Sequence, residues 1–269
     1  MKQGAARPPS WLLSASDLPR ATREAFSLLS LPAWFAALPR GDGHPVMVLP
    51  GFAGDDSYNL PLICFLKALG YHAVGWKQGR NLGHSSLDPQ RLGMRVAKLN
   101  EHEGRRISLV GHSLGGVFAR EAARRHPERV RQVISLGSPI GSGRRGASRL
   151  DQVYASLNRK PGQTDESQWH LAPPVPTTAV YSRTDGIIDW RVALQQRGHA
   201  DSENVEVCGS HNGLTLNPMV WVLLANRLAQ PEDDWHPFRT RGVLRMLYPR
   251  PAWRATEEPR FRRVGLGTT

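Results

Sequence analysis

From Pro45 onward, short apolar runs alternate with helix-spaced segments. Val46-Met-Val-Leu49 follows the chain break Gly41-Asp-Gly-His-Pro45 and predicts a first buried strand. Residues 57–69 carry apolar positions at helical spacing and stop at Gly70, and His72-Ala-Val-Gly-Trp76 predicts a second strand. A helix is expected over about 87–102, then Ile107-Ser-Leu-Val110 as a fully buried strand. A helix from Leu114 to Arg125 and a strand from Val130 to Leu136 come next. Residues 141–176 read as irregular. The alternation resumes with a strand Thr177–Tyr181, a helix near 190–197, a strand Val205–Cys208 and a helix around 215–229. This order implies an α/β fold, with a mostly parallel central sheet and helices on both faces.

The flanks differ. Residues 1–40 are Pro-punctuated, with helix-like apolar spacing from Ala21 to Leu38 that includes Phe26, Leu28, Leu29, Leu31, Trp34 and Phe35. Residues 232–269 are rich in Arg, Pro and Trp, and 240–248 set Val243, Leu244, Met246 and Leu247 against Arg241 and Arg245. The expected organisation is an N-terminal helical extension (1–40), a core (41–231) with a short cap insertion at about 141–176, and a basic C-terminal extension (232–269).

A chain of 269 residues suffices for one sizeable α/β domain. Its formal charge of +12 is carried almost wholly by Arg, with Lys only at positions 2, 67, 77, 98 and 160. Such a charge favours anionic surfaces without specifying a fold. The sequence has no nucleic-acid motif, zinc-ligand spacing or basic strand interleaved with aromatics, so no specific nucleic-acid binding is expected. The charge is expected to be a solvated, Arg-rich surface and the tail an extension that packs a few apolar groups onto the domain, with an anionic membrane or lipid surface met through the basic tail as the alternative. Cys64 and Cys208 make no disulfide framework, and the apolar run Leu60–Leu66 predicts that Cys64 is buried. The first residues lack the apolar segment of a secretory signal, and no stretch is apolar for eighteen residues. A cytoplasmic or peripherally membrane-associated location is therefore expected.

Chemistry enters at Gly111-His-Ser-Leu-Gly115. By composition alone a G-x-S-x-G match arises in so Gly-rich a chain with a chance of roughly one in six. Its position sharpens it, because it follows a buried strand directly and opens a helix, as a nucleophile elbow must. There the serine backbone is strained so that the hydroxyl of Ser113 projects clear of the sheet. The helix N-terminus meanwhile faces developing negative charge. Pro50-Gly-Phe-Ala-Gly54, after the first strand, is the candidate oxyanion loop, with the backbone N–H groups of Phe52 and Leu114 as donors. Asp55 and Asp56 are expected to cap the following helix.

An elbow serine calls for an acid and then a histidine downstream. Of the ten histidines, His44, His72, His84 and His102 precede Ser113, and His112 is adjacent to it, with its ring expected to point away. His126 ends a helix, His170 lies in the insertion, and His199 and His236 follow no strand. His211 sits between a strand and a helix, so it is the expected base. Tyr181-Ser-Arg-Thr-Asp185-Gly-Ile-Ile-Asp189 offers two acids. Asp185 suits the loop that faces the histidine, and Asp189 suits the N-cap of a helix starting at Trp190. This constellation performs acyl transfer through a covalent acyl-serine and calls for no metal or cofactor.

With these residues in place, the chain resembles bacterial lipases and esterases of the α/β-hydrolase family from about Pro45 to Ala229. The carriers are Val48-Leu-Pro-Gly-Phe52, Val110-Gly-His-Ser-Leu-Gly-Gly116, Leu136-Gly-Ser-Pro139, Ser182-Arg-Thr-Asp-Gly-Ile-Ile188 and Gly209-Ser-His211. The resemblance implies an α/β-hydrolase fold and a small-molecule acyl ester as substrate. It also implies an acyl pocket beside the elbow and a lid after the strand that follows it. That lid would be 141–176, which is polar and carries Arg144, Arg145, Arg149 and Arg159, unlike the apolar lid of an interfacially activated lipase. An acyltransferase or thioesterase with the same triad, or a lipid- or polyanion-binding protein on a hydrolase fold, are the competing expectations.

Overall fold

The computed structural model describes residues 6–83, 89–141, 146–158, 168–196, 198–240, 242, 244–250 and 252–255. The apolar runs form β1 (Pro45–Leu49), β2 (His72–Gly75), β3 (Ile107–His112), β4 (Val130–Leu136), β5 (Thr177–Tyr181) and β6 (Ser202–Glu206), joined by a short β7 (Trp253–Arg254). They make one sheet in the order β2-β1-β3-β4-β5-β6-β7. All neighbours pair in parallel except β6 and β7.

Strands β1, β3, β4 and β5 are buried at every residue because helices cover both faces, and the polar Arg131, Gln132, Thr177 and Thr178 are buried with their apolar neighbours. Strand β1 divides its side chains by the strand period of two. Val46 and Val48 join one core with Leu62, Leu66, Leu223 and Leu224, supplied by α3 (Leu60–Ala68) and α7 (Pro218–Leu228). Met47 and Leu49 join the opposite core with Val96 and Phe118, supplied by α4 (Pro89–Glu103) and α5 (Leu114–Arg125).

The chain runs from β1 outward to β2, then crosses back to lay β3 against the other side of β1. The strand order reverses there, so a crevice opens beyond the carboxyl ends of β1 and β3. The Pro50–Gly54 loop follows β1 and the Gly111–Gly115 turn follows β3. Both lie at that crevice.

Several expectations change. Helix α1 spans Trp11–Ser27, starting ten residues before the expected Ala21; a 3-10 turn at Leu28–Ser30 and a short α2 (Leu31–Phe35) follow. Ser10 caps α1, its side chain accepting from the Leu13 N–H at 3.3 Å. Cys64 is exposed, because helical spacing turns Leu62, Ile63, Phe65 and Leu66 inward and leaves position 64 on the outer face. Asp55 and Asp56 do not cap α3. Asp55 accepts from the Ser57 N–H, and Asp56 accepts from the Trp76 and Lys77 N–H groups at 2.9 and 3.0 Å, tying the loop to the end of β2. Asp189 does cap, over a 3-10 turn Trp190–Ala193 rather than an α-helix to 197.

Strand β6 begins at Ser202, three residues before the expected Val205. Its first half hides in polar sequence. Glu203 is buried and pairs with the buried Arg227 at 3.0 Å, and Asn204 bonds Gln195. The insertion contains α6 (Asp151–Leu157), within a segment read as irregular; its residues 142–145 and 159–167 lie outside the described residues, as do 241, 243, 251 and 256–269 of the tail and 84–88, which include the first two residues of the helix expected over 87–102. Between these limits the tail packs back on the domain through the buried Phe238 and Tyr248 and through β7. The short α8 (Leu244–Leu247) leaves Arg245 and Met246 outward.

At the opposite end of β3, Asp42, His44 and Ser108 form a hydrogen-bonded chain that runs inward from the exposed Asp42. His44 Nδ1–H donates to Asp42 Oδ1 at 2.5 Å, and the Ser108 hydroxyl donates to His44 Nε2 at 2.8 Å. His44 and Ser108 have no exposed surface. Among the described residues, no helix is long and apolar enough to cross a membrane.

Candidate active site

Ser113 occupies the turn between β3 and α5 with φ 50° and ψ −123°, a conformation that costs an ordinary residue about 1–3 kcal/mol. The surroundings leave it little choice. Its N–H donates to the Leu136 carbonyl at 2.8 Å, and its own carbonyl accepts from Gly116 at 3.0 Å. The flanking glycines are required by contact. A Cβ at Gly111 would stand 2.4 Å from the Gly115 carbonyl oxygen, and one at Gly115 would stand 2.4 Å from the Leu49 carbonyl oxygen. The elbow therefore passes directly beneath the end of β1, which brings Ser113 against the Pro50–Gly54 loop.

Three expected residues come together. The Ser113 hydroxyl lies 3.0 Å from His211 Nε2, and His211 Nδ1 lies 2.6 Å from Asp185 Oδ2. A carboxylate only accepts, so Nδ1 carries the proton and leaves Nε2 free to receive one from serine. The other oxygen of Asp185 accepts the N–H groups of Ile187 and Ile188, both at 2.8 Å, which fixes the carboxylate plane. Burial pushes the His211 imidazole down. The charge and hydrogen bond of Asp185, with the charge of Asp17, more than offset this and hold it above the ordinary value.

The turn after β4 leaves room for the pair. Gly137 has φ +56°, and a Cβ there would approach His211 Nδ1 to 3.3 Å and Asp185 Oδ2 to 3.4 Å.

Among the described residues, neither the Phe52 nor the Leu114 N–H donates a hydrogen bond within the protein. Leu114 opens α5, where the first-turn N–H groups have no intrahelical acceptor. The Phe52 loop is held by a buried residue that the sequence gave no reason to single out. Asn81 Nδ2 donates to the Pro50 carbonyl at 2.8 Å, and the Asn81 carbonyl accepts from Ala53 at 2.6 Å. Those bonds hold Ala53 at φ 63°. Above the loop, the Phe52 ring meets Tyr154 of α6 edge-on at 5.7 Å.

His112 points away from the serine hydroxyl, as expected, and its Nε2–H donates to the carbonyl of His211. The Tyr58 ring stacks on it at 5.6 Å, and the Tyr58 hydroxyl donates to the carbonyl of Asn212. Burial pushes His112 down to about 3, with His211 adding to the shift, so it stays neutral. Adjacency to the serine set His112 aside as a base; its part in holding His211 comes from a contact across 99 residues. Among the described residues, no group of three or more His, Cys, Asp or Glu side chains is placed to hold a metal ion.

A family model described as the alpha/beta hydrolase fold matches residues 94–161, the stretch that contains β3, the elbow and α5. The chain has the α/β-hydrolase fold. Its backbone is similar to lipase B of Aspergillus fumigatus, with a TM-score of 0.58 at 18% sequence identity, over 81% of this chain and 61% of that one. The chain thus spans 61% of the length of that lipase. It is also similar to a lipolytic enzyme of the metagenome-derived pair LipS and LipT, with a TM-score of 0.50 at 14% identity, over 71% of this chain and 94% of the other. No curated protein matches the chain in sequence.

Proposed function

We propose that this α/β-hydrolase is a serine-dependent carboxylic ester hydrolase acting on acyl or lipid-like esters. The reading rests on one observation: Ser113, His211 and Asp185 form a continuous hydrogen-bonded chain at 3.0 and 2.6 Å. His211 Nε2 takes the hydroxyl proton as Ser113 Oγ attacks the acyl carbonyl carbon. The resulting oxyanion is received by the N–H groups of Phe52 and Leu114, each such donor contributing about 3–4 kcal/mol at the transition state. The imidazolium, stabilised by Asp185, protonates the departing alcohol as the ester C–O bond breaks. Water then gives a proton to His211 and its oxygen to the acyl carbon, releasing the acid and restoring Ser113.

The lipid-like part of the reading has its own support. Phe52 and Tyr154, both partly buried, pack on the apolar core cluster that contains Leu114, the residue after the serine. The insertion is also less polar than its arginines suggest, since Leu150, Val153 and Leu157 are exposed on and beside α6.

The test is covalent. A fluorophosphonate should modify Ser113 and no other serine, and p-nitrophenyl ester turnover should vanish in Ser113→Ala. Unchanged turnover in that variant sinks the assignment.

A further inference from the structure

Helix α1 lies against the domain in an orientation opposite to that of an ordinary amphipathic helix, which buries its apolar stripe. Trp11, Leu12, Leu18, Phe26 and Leu29, on α1 and the turn after it, are at least 67% exposed. The inward face instead carries Asp17 and Glu24, at 1% and 9% exposure. Burying carboxylates is costly unless hydrogen bonds replace the lost water.

The replacements are the backbones of two loops. Asp17 Oδ1 accepts the N–H of Gly186, next to Asp185, at 3.0 Å, and the N–H of His211 at 2.8 Å. Asp17 Oδ2 accepts the N–H and side-chain amide of Asn212 at 3.0 and 2.7 Å. Glu24 Oε1 accepts the N–H of Ser210 at 2.7 Å. Arg20, beside Asp17, donates to the Thr184 carbonyl at 2.6 Å. One carboxylate thereby spans the residue after the acid and the base itself. His112 and Tyr58 donate to the carbonyls of His211 and Asn212 from the other side, so both peptide groups are gripped from two directions.

Two glycines record the same fit. Neither Gly186 nor Gly213 has a positive φ. Yet a Cβ at Gly186 would lie 2.3 Å from the Leu13 carbonyl oxygen, and one at Gly213 would lie 1.9 Å from Glu24 Oε2. At both positions the side chain is absent to let α1 approach.

We propose that α1 is a positioning element of the hydrolytic site, its Asp17 and Glu24 carboxylates holding the acid loop and the base loop at the separation that joins Asp185, His211 and Ser113. The proposal rests on the triad reading above. Asp17 acts through His211 and does not touch substrate. Its charge also adds to that of Asp185 in favouring the imidazolium. Glu24 keeps a second oxygen buried without a hydrogen-bond partner, and burial holds its carboxyl above the ordinary value.

The full-length chain carrying Asp17→Asn, Asp17→Ala or Glu24→Gln provides the test, with folding checked by thermal melting. In Asp17→Ala, kcat for a soluble ester should fall by at least about tenfold, with KM within about twofold. The rate of fluorophosphonate labelling at Ser113 should fall in step. Asp17→Asn keeps an acceptor and loses the charge, so its kcat loss should be smaller. It should also move the His211 limb of the kcat/KM profile to lower pH by about half a unit or more. A merely structural Asp17 would lower the melting point and leave that limb in place. Folded Asp17 variants with wild-type kcat and pH profile overturn the proposal; if Asp17→Ala does not fold, Asp17→Asn decides. A wild-type protein unlabelled at Ser113 would sink the hydrolase reading instead.

Discussion

His112 Nε2 stands 2.9 Å from the carbonyl oxygen of His211, so the residue before the elbow serine holds the loop that carries the base. The bond spans a step that rigid positioning makes catalytic, because a displacement near 1 Å in a reacting group can cost about a hundredfold in rate. His112→Phe keeps the ring and loses the donor, and kcat should drop roughly tenfold. His112→Gln can donate from a similar place and should recover most of it. Equal losses in the two variants would show that ring volume, not the hydrogen bond, is what counts.

Asp185 and Asp189 separate two uses of aspartate within five residues. Asp185→Asn removes the acceptor that fixes the His211 tautomer, and kcat should fall by about three to four orders of magnitude with the fold retained. Asp189 instead accepts the Arg191 N–H at 3.1 Å as a cap. Asp189→Ala should leave kcat within about threefold and cost about 1 kcal/mol of stability. Steady-state kinetics and thermal melts on both variants would expose a reversed assignment.

The pH dependence of turnover follows from the raised pKa of His211. A general base works when unprotonated, so kcat/KM should rise with pH and reach its plateau above the ordinary imidazole range near pH 6.5. A profile already flat below that range would contradict the arrangement of Asp185 and Asp17 around the ring.

His44 gives stability the same direction of pH dependence for a different reason. Burial pushes it down to about 4, with Arg131 and Arg105 adding to the shift and the hydrogen bond to Asp42 opposing it. The unfolded chain takes up this proton near pH 6.5, while the folded chain resists until about 4. Folding is therefore weakened as pH falls through that interval, by up to about 3 kcal/mol from this group. In His44→Gln the destabilisation relative to wild type should shrink as pH falls from 6.5 towards 4, measured by urea unfolding. A constant difference would assign the pH response elsewhere.

The partly buried Phe52 and Tyr154, packed on the core cluster that contains Leu114, predict the acyl preference. Each methylene newly buried there contributes about 0.8 kcal/mol, close to fourfold. For p-nitrophenyl esters kcat/KM should climb from acetyl towards octanoyl. A maximum at acetyl would leave the hydrolase reading intact and remove its lipid-like part.

Strands β1 and β3 were legible as short, almost wholly apolar runs, and β4 and β5 as mostly β-branched or apolar runs that also carry Arg131, Gln132, Thr177 and Thr178. Helix α5 and the elbow were legible because the Gly-x-Ser-x-Gly run sits on the boundary between two periodicities. The three residues of the acid–base chain followed from their order along the sequence. Strand β6 was shifted because the partners that satisfy Glu203 and Asn204 are remote in sequence. Cys64 misled for the converse reason, since an apolar neighbourhood in sequence says nothing of which helix face a residue occupies. Helix α1 was misplaced because its buried face is acidic and its apolar face is outward, the reverse of what periodicity assumes. Its contacts with the site join residues more than 160 positions apart. The one local sign of them is glycine at 186 and 213, where no positive φ demands it.

Strand β3 has a serine near each end, and each is bonded to a histidine that is bonded to an aspartate. Ser108 and His44 are closed off from solvent, and only Asp42 at the far end of the chain reaches the surface; Ser113, with His211 and Asp185, borders the crevice where the strand order reverses. The molecule thus carries a second chain of the same three residue types whose serine is sealed. A catalogue built on three side chains and their spacing would count two sites in this chain. An electrophile should count one, because reactivity here is a property of admission as much as of alignment.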